Sequence, residues 1–297
     1  MSATVRVRLN AVIVSVLDEQ PQVMTLPDEP ALPAGDLEVD TDPTLELALR
    51  RLVEEQVGIQ VGYVEQLYTF GDLARSTDGR SISIAYLALV DAGLAPAEGE
   101  AEWHDCYELF PWEDWRSGRP AVLDDVLVPA LEEWVGGVST RRERADIAFG
   151  LSGSTWDGAR VLDRYELLYE LGLVAERAVD AGDPAAGGVG VSMKSDHRRM
   201  VATGLSRLRG KLAYRPVVFE LVPEVFTLNQ LQRVVETLAG VRLHKPNFRR
   251  LVERGGLVEG TGTVDEQTGG RPAELFRFRR EVLRERPAPG VGLPGAR

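Results

Sequence analysis

The amino-acid sequence predicts an α+β chain built from more than one module. Three observations carry that reading. Strand and helix signals alternate over the first ~115 residues, a helical stretch follows, and the last ~90 residues turn to short helices and a hairpin. At 297 residues the chain is long enough for about two domains of roughly 100–200 residues each. With 44% apolar and 27% charged residues, its composition is that of an ordinary globular protein.

The elements follow in order. Residues 5–17 are rich in Val and Ile and end in Asp18-Glu19. That short run reads as a strand, not as a secretory leader. Residues 45–56 repeat Leu45, Leu47, Ala48, Leu52 and Val53 at helical spacing, with Pro43 just ahead and Thr44 placed to cap. Residues 61–70 predict a second strand. Residues 82–90, Ile-Ser-Ile-Ala-Tyr-Leu-Ala-Leu-Val, are apolar on both faces, which predicts a strand in the middle of a sheet. Residues 121–135 and 163–179 read as amphipathic helices. A Gly-rich run over 181–190 reads as a loop, and 195–208 as another helix.

The C-terminal rhythm differs. A short helix opens at Pro216. Thr227 is placed to cap a helix running to Leu238 and stopped by Gly240. His244-Lys245-Pro246-Asn247-Phe248-Arg249-Arg250-Leu251-Val252 predicts a basic helix, with Pro246 in its first turn, Gly255-Gly256 at its end, and Phe248 and Leu251 holding it to its domain. Two strands then flank the tip Gly269-Gly270-Arg271-Pro272. Helix, helix, basic helix and hairpin make the winged form of the helix-turn-helix. The expected division is therefore 1–120, a helical insertion or linker over 121–204, a winged helix over 205–290, and a flexible tail over 291–297.

Composition narrows the function. No segment approaches the ~20 apolar residues of a membrane span. Cys106 is the sole cysteine, which excludes an intramolecular disulfide and a cysteine zinc site. A reducing, cytoplasmic location is the expectation, with Cys106 as a half-buried apolar residue and not a nucleophile. The net charge of −12 is unevenly spread. Residues 205–297 hold 17 Lys and Arg against 10 Asp and Glu, a surplus of 7, so the rest of the chain carries −19. A basic module attached to an acidic body suits a polyanion partner; a solvated basic face with no partner is the bland alternative.

Three motifs carry chemistry. The first opens Leu32-Pro33-Ala34-Gly35 and closes Arg51-Leu52-Val53-Glu54-Glu55-Gln56-Val57-Gly58-Ile59. It resembles a Nudix box, which ends Arg-Glu-apolar-x-Glu-Glu-x-Gly-apolar. The three glutamates of a working box stand at i, i+3 and i+4, on one helix face, where they hold Mg²⁺ together. Here those places are Leu52, Glu55 and Gln56. Glu54 points about 100° away from Glu55 and is a poor substitute. A diphosphate hydrolase needs its metal to neutralise charge and activate water, so no metal site, no catalytic residue and no enzymatic activity are expected. The second motif places Phe70, Gly71, Arg75 and Arg80 between two strands, with Tyr86 on the second; guanidinium donors suit phosphate, and Phe70 suits an adenine or ribose face. A surface hairpin with solvated arginines is the equal alternative. The third is the basic helix, where Lys245, Asn247, Arg249 and Arg250 offer base-edge and phosphate contacts, extended by Lys211, Arg215 and the tip residue Arg271.

Gln66-Leu67-Tyr68-Thr69-Phe70-Gly71, Ser83-Ile84-Ala85-Tyr86, Leu208-Arg209-Gly210-Lys211-Leu212-x-Tyr214, Asn247-Phe248-Arg249-Arg250 and Gly270-Arg271-Pro272-Ala273 together resemble the Nudix-related transcriptional regulators of NAD metabolism, the NrtR type. The resemblance implies a Nudix-like α/β/α sandwich with a mixed sheet, followed by a C-terminal winged helix. It also implies a homodimer on a palindromic operator near genes of NAD biosynthesis or salvage, released by ADP-ribose or a related NAD-derived nucleotide, with no cofactor required. Gly35, Phe70, Gly71, Arg75, Arg80 and Tyr86 are then the expected effector contacts. The segment Ser76-Thr77-Asp78 departs from the family's more basic loop, and the middle is longer than in compact members. The competing reading is an active Nudix pyrophosphatase with an accessory winged helix.

Overall fold

The computed structural model describes residues 5–27, 30–71, 81–91, 93–94, 101–183, 187–265 and 272–291. Its spine is β1 (Arg6–Leu17). One edge of β1 runs parallel to β5 (Ser81–Leu89); the other pairs antiparallel with β3 (Ala34–Asp36) along its first half and β2 (Gln20–Thr25) along its second. β4 (Tyr63–Phe70) joins β5 and β6 (Glu102–Asp105) joins β2, giving a mixed sheet in the order β4-β5-β1-β2-β6 with β3 also on β1. The strand expected to be central, β5, is paired on both edges. β2, not anticipated from the sequence, follows a two-residue turn in which Asp18 and Glu19 both take positive φ, 49° and 60°. That twist suits a tight hairpin.

Period-two alternation sorts β1 into two cores. Leu9, Ala11 and Ile13 join Ala48, Leu49, Leu52, Val53 and Val57 of α1 (Leu45–Val57). Val12, Val14 and Val16 join Met200, Val201, Leu205, Leu208 and Leu212 of α7 (His197–Leu212). The sheet is thus covered on both sides, an α/β/α sandwich. Gly204 lets α7 approach, because a Cβ there would sit 2.9 Å from Val12.

That packing corrects the expected boundary between 204 and 205. It falls inside α7, whose apolar stripe runs unbroken from Met200 to Leu212 and belongs to the sandwich. The linker reading of residues 195–204 rests on the onset of basic residues, not on a break in periodicity.

Between β6 and α7 lie α2 (Cys106–Leu109), a wide π turn (Leu123–Leu127), α3 (Val128–Val135), α4 (Ser139–Phe149), α5 (Val161–Glu170) and α6 (Ala175–Asp180). The π turn leads into α3, whose second residue, Pro129, has no N–H to give back to the preceding turn. The single helix expected over 163–179 is two: Gly172 takes φ +75° between α5 and α6 and cannot continue a helix. α4 is too charged to show an apolar stripe, so the sequence does not announce it; only Ala145, Ala148 and Phe149 are buried.

The last module begins with a 3₁₀ turn (Val217–Leu221) and β7 (Phe226–Thr227). α8 (Leu228–Ala239) carries the expected cap as a full capping box between Thr227 and Gln230, and Gly240 ends it at φ +70°. α9 (Lys245–Gly255), β8 (Val258–Asp265) and β9 (Ala273–Phe278) complete the winged helix, with β7 and β8 on opposite edges of β9. The expected tail does not start at 291. After α10 (Val282–Glu285) the chain returns to α7, where Val291 is buried and its N–H donates to the Leu212 carbonyl at 3.0 Å. Among the described residues no helix is long and apolar enough to cross a membrane.

Candidate functional site

The box strand and box helix are locked together by the two residues that replace glutamates. Gln56 donates from Nε2 to the Ala34 carbonyl at 2.9 Å and accepts from the Ala34 N–H at Oε1, 3.0 Å. Leu52 lies against Gly35, where a Cβ would come within 2.4 Å of its side chain. Gly35 is therefore needed here for close approach of strand to helix. Arg51 is engaged by Asp42 through two hydrogen bonds of 3.0 and 2.9 Å and by Glu55 at 2.9 Å, and it holds the Asp42 carboxyl below the usual carboxylate range. The surviving carboxylate Glu55 thus faces an arginine. Among the described residues no cluster of three His, Cys, Asp or Glu is placed to hold a metal.

An amide that gives to and receives from the backbone of one residue cannot be replaced by a carboxylate. Gln56→Glu keeps the acceptor but turns an oxygen toward the Ala34 carbonyl. We expect a loss of about 1–2 kcal/mol, visible as a lower Tm in thermal unfolding; an unchanged Tm would show that the clamp contributes nothing.

The expected effector residues are only partly brought together. Phe70, read from the sequence as a face for a base, is 8% exposed in the core shared with α7, and its ring meets Tyr68 edge-on at 5.4 Å. The bulge between Gln66 and Thr69 resets the alternation of β4. Tyr68 is the exposed aromatic there, at 63%. Tyr86 is buried against α1, its hydroxyl 3.5 Å from Gln66. Gly71 follows β4 with open space where a Cβ would be. Arg75 and Arg80 lie outside the described residues. Asn10, which no sequence motif singles out, pairs in register with Ala34 and Ala85; its amide is fully buried and has no hydrogen-bond partner among the described residues. His197 accepts the Leu32 N–H at Nδ1, 3.0 Å, tying the first turn of α7 to the segment that leads into β3 and opens the box. Cys106 is fully buried, deeper than expected, and burial pushes its thiol pKa up.

The basic helix is built as its sequence implies, with one exchange. Phe248 is buried, but Val252 and not Leu251 is its fully buried partner, because 248 and 252 are one turn apart. Lys245, Arg249 and Arg250 are exposed; Asn247 is half-buried, and its Oδ1 accepts from Arg250 at 3.3 Å. Arg271 lies outside the described residues.

Lys211, expected to extend the DNA-binding patch, sits in the last turn of α7, with its ammonium on the Glu65 carboxylate and 3.1 Å from the Tyr63 hydroxyl. Burial alone would lower the Lys211 pKa and raise that of Glu65; the hydrogen bonds between them outweigh burial and keep both charged. Lys211 serves the junction with β4. Arg215 is exposed beside it, and both line a groove of about 610 Å³ whose walls include Phe219, Arg277 and Phe278, with no residue of α9 among them.

The two halves meet at the end of α8. The Tyr107 hydroxyl donates to the Thr237 carbonyl at 2.5 Å, Arg209 Nε to the Leu238 carbonyl at 2.7 Å, and the Trp115 N–H to the Gly240 carbonyl at 2.7 Å. Arg209 also grips the buried carboxylate of Glu113, which Arg164 of α5 holds from the other side at 2.6 and 2.9 Å. Glu19, at the tip of the β1–β2 turn, pairs with Arg233 of α8, and its carbonyl accepts the Thr237 hydroxyl at 3.1 Å.

Residues 218–278 match the family model of the NrtR DNA-binding winged helix domain. Over 248 residues, 84% of this chain and 69% of the relative, the sequence is 23% identical to the ADPR responsive transcriptional repressor NtrR of Acinetobacter baylyi. The fold is similar to that of Shewanella oneidensis NrtR solved in complex with a 27mer DNA: 22% identity, TM-score 0.55, covering 93% of this chain and 94% of that one. It is also similar to a MutT/nudix family protein from Enterococcus faecalis: 14% identity, TM-score 0.53, 94% and 88% covered. A Nudix-like sandwich followed by a winged helix of the NrtR type is thus the architecture of this chain.

Proposed function

We propose that the chain is a ligand-responsive, DNA-binding transcriptional regulator of the NrtR type, a repressor whose Nudix-like half senses ADP-ribose or a related NAD-derived nucleotide without cutting it. One observation carries this reading: an NrtR-type winged helix with an exposed basic α9 is joined to a sandwich whose box keeps its fold with Leu52 and Gln56 at two of the three metal-ligand positions. A sensor gains from holding its ligand intact. The effector contacts proposed are Gly35, Gly71, Arg75 and Arg80; Phe70 and Tyr86 support the site from within the core. Lys245, Asn247, Arg249, Arg250 and Arg271 are proposed to meet DNA, with Lys211 and Arg215 extending the patch. Two copies on a palindromic operator, in the cytoplasm and near genes of NAD biosynthesis or salvage, complete the proposal. The mechanism is a population shift, in which the nucleotide favours the form that binds DNA poorly.

The purified chain should retard a fragment of its own upstream region in a gel shift, and ADP-ribose should reverse the retardation. Incubation with ADP-ribose and Mg²⁺ should leave the nucleotide intact by chromatography. Absence of specific retardation refutes the regulator; release of AMP refutes the non-catalytic sandwich.

A further inference from the structure

A helix ending inside a protein leaves its last carbonyls without partners in its own ladder. At the end of α8 those of Thr237 and Leu238, with that of Gly240 just beyond, accept from outside the winged helix: from Tyr107, Arg209 and Trp115. The turn that aims α9 is therefore set by the other half of the molecule. Of those donors, Arg209 lies on an element that also reaches the box. Twelve residues earlier on the same helix, His197 accepts the N–H of Leu32, the residue that opens the box. Twelve residues of α-helix span about 18 Å. Along that length α7 is a single uninterrupted helix, seated on β1 at Gly204.

We propose that α7 is the transmission element between the two sites: His197 couples its first turn to the segment that opens the box, and Arg209 couples its last turns to the Leu238 carbonyl at the end of α8. Nucleotide binding beside Gly35 displaces the Leu32–Gly35 segment, α7 follows through His197, and Arg209 shifts relative to Leu238. Packed helices respond to such a change by shifts of about 1–2 Å, not by bending. Arg209 is gripped by Glu113, which is in turn gripped by Arg164, so α5 moves with it. This gives the helical middle a part in coupling: it is carried along by the far end of the lever. The inference rests on the regulator reading above and specifies how its two sites communicate.

The test compares three chains for operator affinity, ADP-ribose affinity and the effect of one on the other. Wild type is expected to lose operator affinity by about tenfold or more at saturating ADP-ribose. His197→Leu removes the acceptor and should bind operator and ADP-ribose separately as wild type does, but respond to the nucleotide by less than about twofold. His197→Asn places an amide oxygen near the position of Nδ1 and should restore the response. Hydrogen exchange on the wild-type chain is the second readout: ADP-ribose should change protection in α7 and in residues 236–243 as well as near the box. If His197→Leu responds fully, or the exchange change stays near the box while DNA is still released, transmission through α7 is wrong and the regulator reading stands. If the wild type shows no effect of ADP-ribose on operator binding, both fail together.

Discussion

Replacing Arg249 and Arg250 together by alanine removes specific operator retention, by on the order of 10²–10⁴ in affinity. Both guanidiniums are exposed on α9, and among the described residues the hydrogen bond that ties either to the protein is that of Arg250 to Asn247 at 3.3 Å. Deleting a base-edge hydrogen bond costs about 1–3 kcal/mol, and deleting a phosphate partner lowers the salt slope by about 1. The fold should not notice, since exposed substitutions away from caps and core stay within about 0.5 kcal/mol. Fluorescence anisotropy with a labelled operator at several salt concentrations measures both quantities, and a thermal melt with and without ADP-ribose verifies fold and nucleotide binding. An unchanged operator affinity removes α9 from the interface.

The salt slope also bears on where the positive charge resides. The surplus of 7 over residues 205–297 predicts a broadly basic module. The segment matched by the winged-helix model, 218–278, holds eight basic and eight acidic residues and is neutral. The surplus lies on either side of it. Part of it is Arg209, engaged by Glu113, and Lys211, engaged by Glu65. What faces outward within the matched segment is a narrow stripe on α9, and Arg215, Arg280, Arg284 and Arg286 are exposed outside it. A modest slope, that of a few neutralised phosphates per copy, is therefore expected, not that of a broadly basic domain.

Local rules in the sequence carry over intact: Thr227 with Gln230 as a capping box, Gly240 and Gly256 as left-handed stops, Pro246 in a first turn, and the two-faced apolar run of β5. Each is decided within a few residues. The failures are matters of partnership across the chain. Nothing local says that the basic residues at the end of α7 face carboxylates from residues 65 and 113, so the ion pair of Lys211 with Glu65 is not legible in the sequence. A bulge in β4 shifts which aromatic is exposed, so sequence alone puts Phe70 where Tyr68 stands. The box is the mixed case. Its missing glutamates are legible; that Gln56 is a two-point clamp on Ala34 is not, since the partner is a backbone unit 22 residues away.

The second large effect is on stability. Glu113→Gln, which keeps the volume of the side chain and removes its charge, should cost about 3–5 kcal/mol. Glu113 is 1% exposed, Arg164 is fully buried and Arg209 is 3% exposed. One carboxylate thus stands between two buried guanidiniums, whose other donors reach the carbonyls of Ala148, Asp157, Gly158 and Leu238 and the hydroxyl of Tyr107. Carbonyl dipoles soften a buried positive charge but do not neutralise it, so withdrawing the carboxylate leaves two uncompensated cations. An exposed pair such as Arg277 with Glu259, 60% and 40% exposed, is screened by water, and Glu259→Gln should cost no more than about 1 kcal/mol. Against a typical total of about 5–15 kcal/mol, the buried substitution takes a large share, and the Tm should fall by roughly 10 °C. If the loss came from shape alone, Gln would be nearly silent and Ala costly; if it comes from charge, both are costly. A Tm unchanged in Glu113→Gln rejects the charge argument. Because Arg209 holds the Leu238 carbonyl as well, freeing it from Glu113 should also loosen the end of α8, so the same variant should bind operator more weakly even below its melting range.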